Sequence, residues 1–152
     1  RKLGKIFVTE EPDKFIKKND LGPDPFADDI NLKFFRELLA RKRGSIKSAL
    51  MDQSMMAGIG NVYTDEILFQ AGIHPKSNVP DLSDDQIKTI FNKMKTVLKT
   101  AIDHKANPEN MPKSYLLPHR NPDTPCPKCD GTINKITVSG RATYFCPKHQ
   151  SK

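Results

Sequence analysis

The sequence predicts a mainly α-helical protein that ends in a small zinc-binding β-hairpin, and two observations carry this prediction. Over residues 30–106, apolar side chains recur at the three- and four-residue spacing of amphipathic helices. Near the carboxyl end, Cys126 and Cys129 are followed by Cys146 and His149, with room for one hairpin between the two pairs.

The helices are predicted from their apolar faces and their end signals. The first has an apolar stripe from Ile30 to Leu39 and finishes in a basic segment before a glycine. Ser45 is a suitable cap for a second, short helix. The longest helix opens with the capping box Ser83 and Gln86, after which apolar residues continue at helical spacing to Ile102.

A third helix is predicted over residues 62–71, with Asn61 as its cap and Gly72 as its left-handed end. It follows the glycine break at residues 58–60. Glycines let a backbone approach closely, and a helix amino terminus offers free N–H groups, so this segment could seat a phosphate. A glycine break between two packed helices explains the same residues without any ligand.

The two cysteine-containing pairs predict one structural zinc ion. Three thiolates from Cys126, Cys129 and Cys146 with the imidazole of His149 form an established tetrahedral ligand set. A redox pair would leave the second knuckle unexplained, and three cysteines cannot pair fully as disulfides. Residues 132–138 and 141–145, joined by a turn at 139–140, are expected to form the hairpin between the knuckles.

Charge is compatible with an anionic partner. The chain has a formal net charge of +7. From residue 119 onward, six Lys and Arg face two Asp, which favours nucleic acid without identifying it, since solvated lysines would give the same composition. Neither a secretory segment nor a membrane-spanning run is evident, so an intracellular, cytoplasmic setting is expected.

The chain divides into five predicted parts, and its first residues look like part of something larger. A strand at the amino terminus needs a partner sheet that the remaining sequence does not offer. The parts are a strand at 1–8, a connection at 9–29, a helical domain at 30–106, a linker at 107–124 and a zinc module at 125–152.

Several motifs, in order, resemble the Fpg/Nei family of DNA glycosylases. Its helix-two-turn-helix is similar to residues 46–47 (IK), 50–53 (LMDQ), 57–68 (AGIGNVYTDEIL) and 73–75 (IHP). Residues 1–4 look like the last strand of its amino-terminal domain, and 21–25 (LGPDP) like its interdomain connection. Residues 140–147 (GRATYFCP) resemble its zinc finger. The resemblance therefore covers nearly the whole chain.

This resemblance implies roles for individual residues. Lys47 and Asn61 match residues that hold phosphates beside a lesion, and Arg141 matches an arginine that grips the same backbone. Arg1 matches the residue that fills the void of an extruded nucleotide, and Leu3 the wedge that enters the base stack. Without the resemblance, Lys47 would be a solvated lysine, Asn61 a plain helix cap and Arg141 a turn residue.

The chain also departs from the family pattern. Leu3 stands where phenylalanine is frequent, and His149 stands where the family usually has a fourth cysteine. Residues 105–117 are short compared with the glycine-rich loop of Fpg-type members, which favours a Nei-like or altered substrate range. The amino-terminal proline nucleophile and adjacent glutamate of the family are not in this sequence.

The resemblance implies the DNA-binding half of a base-excision-repair glycosylase and AP lyase. The parent protein would remove oxidised bases and nick abasic sites, whereas this segment would bind damaged duplex DNA as a monomer without cutting it. In a bacterium it would be associated with the nucleoid. A free-standing, non-catalytic zinc protein that binds nucleic acid stays open, as does a structural role in a ribosome or topoisomerase, against which the finger argues.

Overall fold

The computed structural model describes residues 7–150, which form a helical domain followed by a two-stranded finger. The helices are α1 (Pro12–Lys18), α2 (Leu32–Ala40), α3 (Ile46–Leu50), α4 (Asn61–Ala71) and α5 (Asp84–Asp103), and the strands are β1 (Asn134–Val138) and β2 (Arg141–Phe145). Single turns of 3-10 helix lie at Val79–Asp81, Pro108–Asn110 and Leu117–His119. The predicted fold class is confirmed.

Local end signals fix most helices where the sequence predicts them. Ser45 accepts a hydrogen bond from the Ser48 N–H at the start of α3. Ser83 and Gln86 form the predicted capping box of α5. Gly72 ends α4 with a positive φ of 70°, a conformation that favours glycine.

One local prediction is wrong: Asn61 is the first helical residue of α4, and the cap of this helix is Gly60. The connection at 9–29 contains α1, which Pro12 can start because a helix leaves its first N–H groups unpaired, and residues 21–25 are not helical. The strand expected at 1–8 falls almost wholly outside the described residues, and Phe7 and Val8 are not in a strand.

One apolar core joins α2 to α5. Twenty buried residues of the described part of the chain form it, among which Phe35 and Leu50 are fully inaccessible to solvent. The ring centroids of Phe35 and Phe91 lie 5.4 Å apart and tie α2 to α5. Within the described residues, no helix is both long enough and apolar enough to cross a bilayer.

The connection before α2 is packed on the turn that follows α3. The N–H of Gly22 donates to the carbonyl of Gln53 at 2.7 Å, and the N–H of Ala57 donates to the carbonyl of Pro23 at 3.0 Å. A Cβ atom at Gly22 would lie 2.7 Å from the Met55 carbonyl carbon, so only glycine fits this close approach.

The finger is an antiparallel hairpin with Val138 opposite Arg141. Ser139 and Gly140 form its two-residue turn, with φ values of 47° and 72°, which match the twist of a tight hairpin. β2 lies against α4, so the amino end of α4 and the hairpin turn form one surface.

Candidate nucleic-acid interface and metal centre

Three cysteines form the candidate metal centre. The sulfur atoms of Cys126, Cys129 and Cys146 all lie within 4.8 Å of one another, and the Cys129 and Cys146 sulfurs are 3.6 Å apart. The N–H of Lys128 points at the Cys126 sulfur (3.5 Å), and that of Gly131 at the Cys129 sulfur (3.4 Å). Such donors stabilise thiolates, and three converging thiolates fit a structural zinc ion.

Gly131 is required by the crowding at this centre. A Cβ atom there would lie 3.0 Å from the Cys146 sulfur and 3.3 Å from the Cys129 sulfur. The glycine therefore allows the first knuckle to close on the second. Spacing alone predicted the three cysteine ligands, but not this requirement.

His149 lies outside the cluster of three sulfurs. Its Nε2 is 2.8 Å from the carbonyl oxygen of Phe69 at the end of α4, and the two rings are 4.9 Å apart. The structure therefore brings the three predicted cysteines together and directs one nitrogen of His149 to the helical domain. His149 as the fourth ligand stays a prediction.

Asn61 and Arg141 line the same cavity, which has a volume of about 330 Å³. Met51, Gln53, Ile59 and Gly60 complete its wall. The side-chain Nδ2 of Asn61 donates to the carbonyl of Ala142 at 3.1 Å, so Asn61 contacts β2 instead of capping α4. Its Oδ1 is buried and has no hydrogen-bond partner among the described residues.

Gln53 shapes the glycine turn beside this cavity, a role that the sequence analysis did not assign. Its Oε1 accepts the N–H of Gly58 at 2.9 Å, and its Nε2 donates to the carbonyl of Ile59 at 2.9 Å. Gly58 has a φ of 84°, which favours glycine. One amide side chain thus fixes the turn that leads into α4.

Lys47 is fully buried, so it is not the solvated cation that composition suggested. Its Nζ donates to Asp65 Oδ1 at 2.5 Å and to Thr143 Oγ1 at 2.7 Å. Burial lowers the pKa of Lys47, and the charge of Asp65 opposes that shift. Direct phosphate contact by Lys47 stays a prediction, and its described bonds are all internal.

Two buried acids of α4, Asp65 and Glu66, are a further feature that the sequence did not reveal. Both are almost inaccessible to solvent, and both accept hydrogen bonds from distant segments. Glu66 accepts the N–H groups of Leu116 (3.1 Å) and Leu117 (2.8 Å), which anchors the linker. Burial raises the pKa of Glu66. Local patterns do not reveal these long-range contacts, since Arg120 is 55 positions from Asp65 and Leu116 is 50 positions from Glu66.

Arg1 and Leu3, the predicted void-filling and wedge residues, lie outside the described residues. Their roles stay predictions.

Fold and site together define a helix-two-turn-helix protein with a zinc finger. Residues 21–111 match the family model described as the formamidopyrimidine-DNA glycosylase H2TH domain. Residues 124–148 match the model described as the zinc finger found in FPG and IleRS. The chain belongs to the formamidopyrimidine-DNA glycosylase (Fpg) family, and its structural zinc site is the finger of that family.

Relatives in bacteria resemble the whole chain. It is 36% identical to formamidopyrimidine-DNA glycosylase of Bacillus subtilis over 164 aligned positions, covering all of this chain and 59% of that protein. It is 35% identical to the Haemophilus influenzae protein of the same name, covering 60% of it. The chain therefore spans about 60% of the length of these curated relatives.

Solved structures of the family share the fold. Lactococcus lactis Fpg in complex with DNA containing an abasic site superposes with a TM-score of 0.80 at 30% identity, over 96% of this chain and 57% of that one. A Lactococcus lactis Fpg mutant with Fapy-dG-containing DNA gives a TM-score of 0.82 at 30% identity, with the same coverage.

Proposed function

We propose that this chain is the DNA-gripping half of a base-excision-repair glycosylase and AP lyase that acts on oxidised bases and abasic sites. One observation carries the proposal: Asn61, at the start of α4, and Arg141, at the start of β2, line one cavity although they belong to different units. An amide, a guanidinium and the first N–H groups of an eleven-residue helix are suitable partners for consecutive phosphates.

The solved relatives support this partner. Their DNA contains an abasic site, Fapy-dG or, in a MutM complex, carbocyclic 8-oxo-G. We therefore propose duplex DNA with such lesions as the partner of this chain. The short segment at 105–117 is our reason to expect a lesion range that differs from that of these relatives.

Catalysis would need groups outside this sequence. In the whole protein, the amine of an amino-terminal proline would attack the sugar of the damaged nucleotide, and an adjacent glutamate would assist proton transfer. The residues described here would bind and orient the DNA backbone. The test is to read the gene upstream of Arg1: an open frame that starts with methionine, proline and glutamate supports the glycosylase, and a stop codon close to Arg1 contradicts it.

Zinc would bind through Cys126, Cys129 and Cys146, and we propose His149 as the fourth ligand. The contact of its Nε2 with the Phe69 carbonyl is the outer-shell bond that ligating histidines commonly make through their second nitrogen, which leaves Nδ1 for the metal. Zinc would keep the knuckles closed. Cobalt substitution tests the ligand: His149→Cys should shift the visible spectrum towards four-sulfur coordination, and an identical spectrum for His149→Ala would contradict ligation.

A free-standing nucleic-acid-binding protein without a catalytic domain is the second candidate. It would bind phosphates at the same cavity, beside Asn61 and Arg141. The two candidates therefore differ only in whether a catalytic domain is present. A role on DNA would place either one in the cytoplasm, and at the nucleoid of a bacterium. We expect a monomer, since the proposed grip uses one chain.

The experiment for the DNA grip measures binding of the zinc-loaded chain to a duplex with one tetrahydrofuran abasic analogue. Asn61→Ala and Arg141→Ala should each weaken binding about tenfold. Arg141→Ala should also reduce the salt slope, which is the slope of the logarithm of the binding constant against the logarithm of the salt concentration, by about one ion. Asn92→Ala and Lys99→Ala, both exposed on α5, are matched controls. If the folded Asn61 and Arg141 variants bind like their controls, the proposed grip is wrong.

A further inference from the structure

The proposed DNA grip depends on how the finger sits on the helical domain. Asn61 belongs to α4 and Arg141 to β2, so the cavity that they share exists only while β2 keeps its position on α4. The hydrogen bond from Asn61 to the Ala142 carbonyl is exposed. We therefore expect buried contacts that hold β2 on α4.

The buried carboxylate of Asp65 lies at this junction, four residues after Asn61. Its Oδ1 accepts from Lys47 of α3 at 2.5 Å. Its Oδ2 accepts from Arg120 of the linker at 2.8 Å and from the backbone N–H of Tyr144 in β2 at 3.2 Å. A single side chain thus contacts three segments that are far apart in sequence.

Lys47 extends this contact to the finger by donating to Thr143 Oγ1 at 2.7 Å. Arg120 also covers the ring of Tyr144, with its guanidinium carbon 4.4 Å from the ring centroid. Both cations of the cluster therefore contact β2 as well as Asp65. Asp65 and Thr143 are not among the residues that line the cavity, so neither faces the proposed phosphate position.

We propose that Asp65 is a positioning residue for DNA binding: together with Lys47 and Arg120, it fixes β2 on α4 and so keeps Arg141 beside Asn61. This inference rests on the proposed DNA grip. Buried ion pairs are costly to break because the remaining charges lose their partners. Loss of Asp65 would leave two cations facing each other, and β2 would shift away from them.

Whether Asp65→Asn weakens or strengthens DNA binding distinguishes the positioning role from a general electrostatic effect. Asp65→Asn removes a negative charge from a DNA-binding protein, which by general attraction to phosphates should strengthen binding. Mispositioning of Arg141 predicts the opposite result. Asp103→Asn, at the exposed end of α5, removes the same charge away from the junction and is the matched control.

The test uses the zinc-loaded full chain and the tetrahydrofuran duplex at several salt concentrations. We expect Asp65→Asn to weaken binding about tenfold and to lower the salt slope by about one ion, as Arg141→Ala does. The Asp65→Asn, Arg141→Ala double variant should bind no worse than Arg141→Ala alone. Asp103→Asn should bind as tightly as the unchanged chain or slightly more tightly.

Circular dichroism and zinc content establish whether each variant is folded. If Asp65→Asn does not fold, Thr143→Val replaces it, because it keeps the Lys47–Asp65 pair and removes the hydroxyl through which Lys47 contacts β2 and which also donates to the Arg141 carbonyl at 3.2 Å. Unchanged or tighter binding by the folded variant would overturn the inference, as would additive losses in the double variant. If Arg141→Ala itself has no effect, the DNA grip fails and the positioning role fails with it.

Discussion

The helical domain and the finger are stabilised in different ways. Among the described residues, the helical domain has a core of twenty buried apolar residues, which come from α2 to α5, the segments between them, Ile30 before α2, and the linker after α5. The second cluster has five residues, of which Phe69 and Leu116 precede the finger and two of the other three are cysteines. Among its described residues, the finger therefore has no separate apolar core, and we expect it to depend on metal and on its contacts with α4. Small modules of this kind need such supports because they bury too little surface.

Zinc removal should produce the largest difference in stability between the finger and the helical domain. Structural zinc contributes about 10–16 kcal/mol to small domains, so chelation should unfold the residues from Cys126 onward and spare the helices. Hydrogen exchange of the β1 and β2 amides, with helical circular dichroism as the control, measures both parts. The hydrogen bonds of β2 with α3 and α4 are expected to be too few to replace the metal. Protected β1 and β2 amides in the metal-free protein would contradict this expectation.

Truncating a core side chain should destabilise the helical domain and leave zinc binding by the finger intact. Phe35→Ala removes a fully buried ring that contacts Phe91, and it should cost about 3–5 kcal/mol of unfolding free energy. Urea unfolding followed by circular dichroism measures this loss. Ile102→Ala, on the exposed face of α5, is the control and should change stability little. Zinc content should stay at one ion per chain, and a loss of zinc would mean that the two units are not stabilised separately.

Glu66 links the two units, since it anchors the linker that leads into the finger. Glu66→Ala leaves the buried N–H groups of Leu116 and Leu117 without an acceptor and should cost about 1–3 kcal/mol. Glu66→Gln keeps an acceptor without a buried charge, so it should cost less. Thermal unfolding compares the two variants, and equal losses would show that the carboxylate charge, not the acceptor, is what matters.

The smallest effect is expected at the turn after α3, as a dependence on pH. Hydrogen bonds from Lys42 and then Ser54 lower the pKa of Asp52 from 3.8 to about 2. Because the folded pKa is the lower one, this stabilisation is complete above the unfolded pKa and is lost as the pH falls towards 2. The pair is partly exposed, so the contribution is at most about 1 kcal/mol. The stability gap between the unchanged chain and Asp52→Asn should therefore narrow between pH 6 and pH 2.5, and a constant gap would contradict this.

Local sequence signals determined the helices and the cysteine cluster. Ser45, Ser83 and Gly72 act within one turn of the residues that they cap or terminate, so their effect can be read from a short window. The Cys126 and Cys129 spacing likewise encodes one knuckle. Asn61 shows where local patterns fail. They predicted that it caps α4, but its side-chain amide donates to the Ala142 carbonyl in β2.

By itself, the sequence determined a helical domain, a hairpin finger and a three-cysteine centre, because caps, turns and ligand spacing act between near neighbours. Only the tertiary structure decided which charged residues are buried. Lys47 bonds to Thr143, 96 positions away, and Asp65 bonds to Arg120, 55 positions away. A charge can be buried only where its partners converge, and that convergence exists only after the chain has folded.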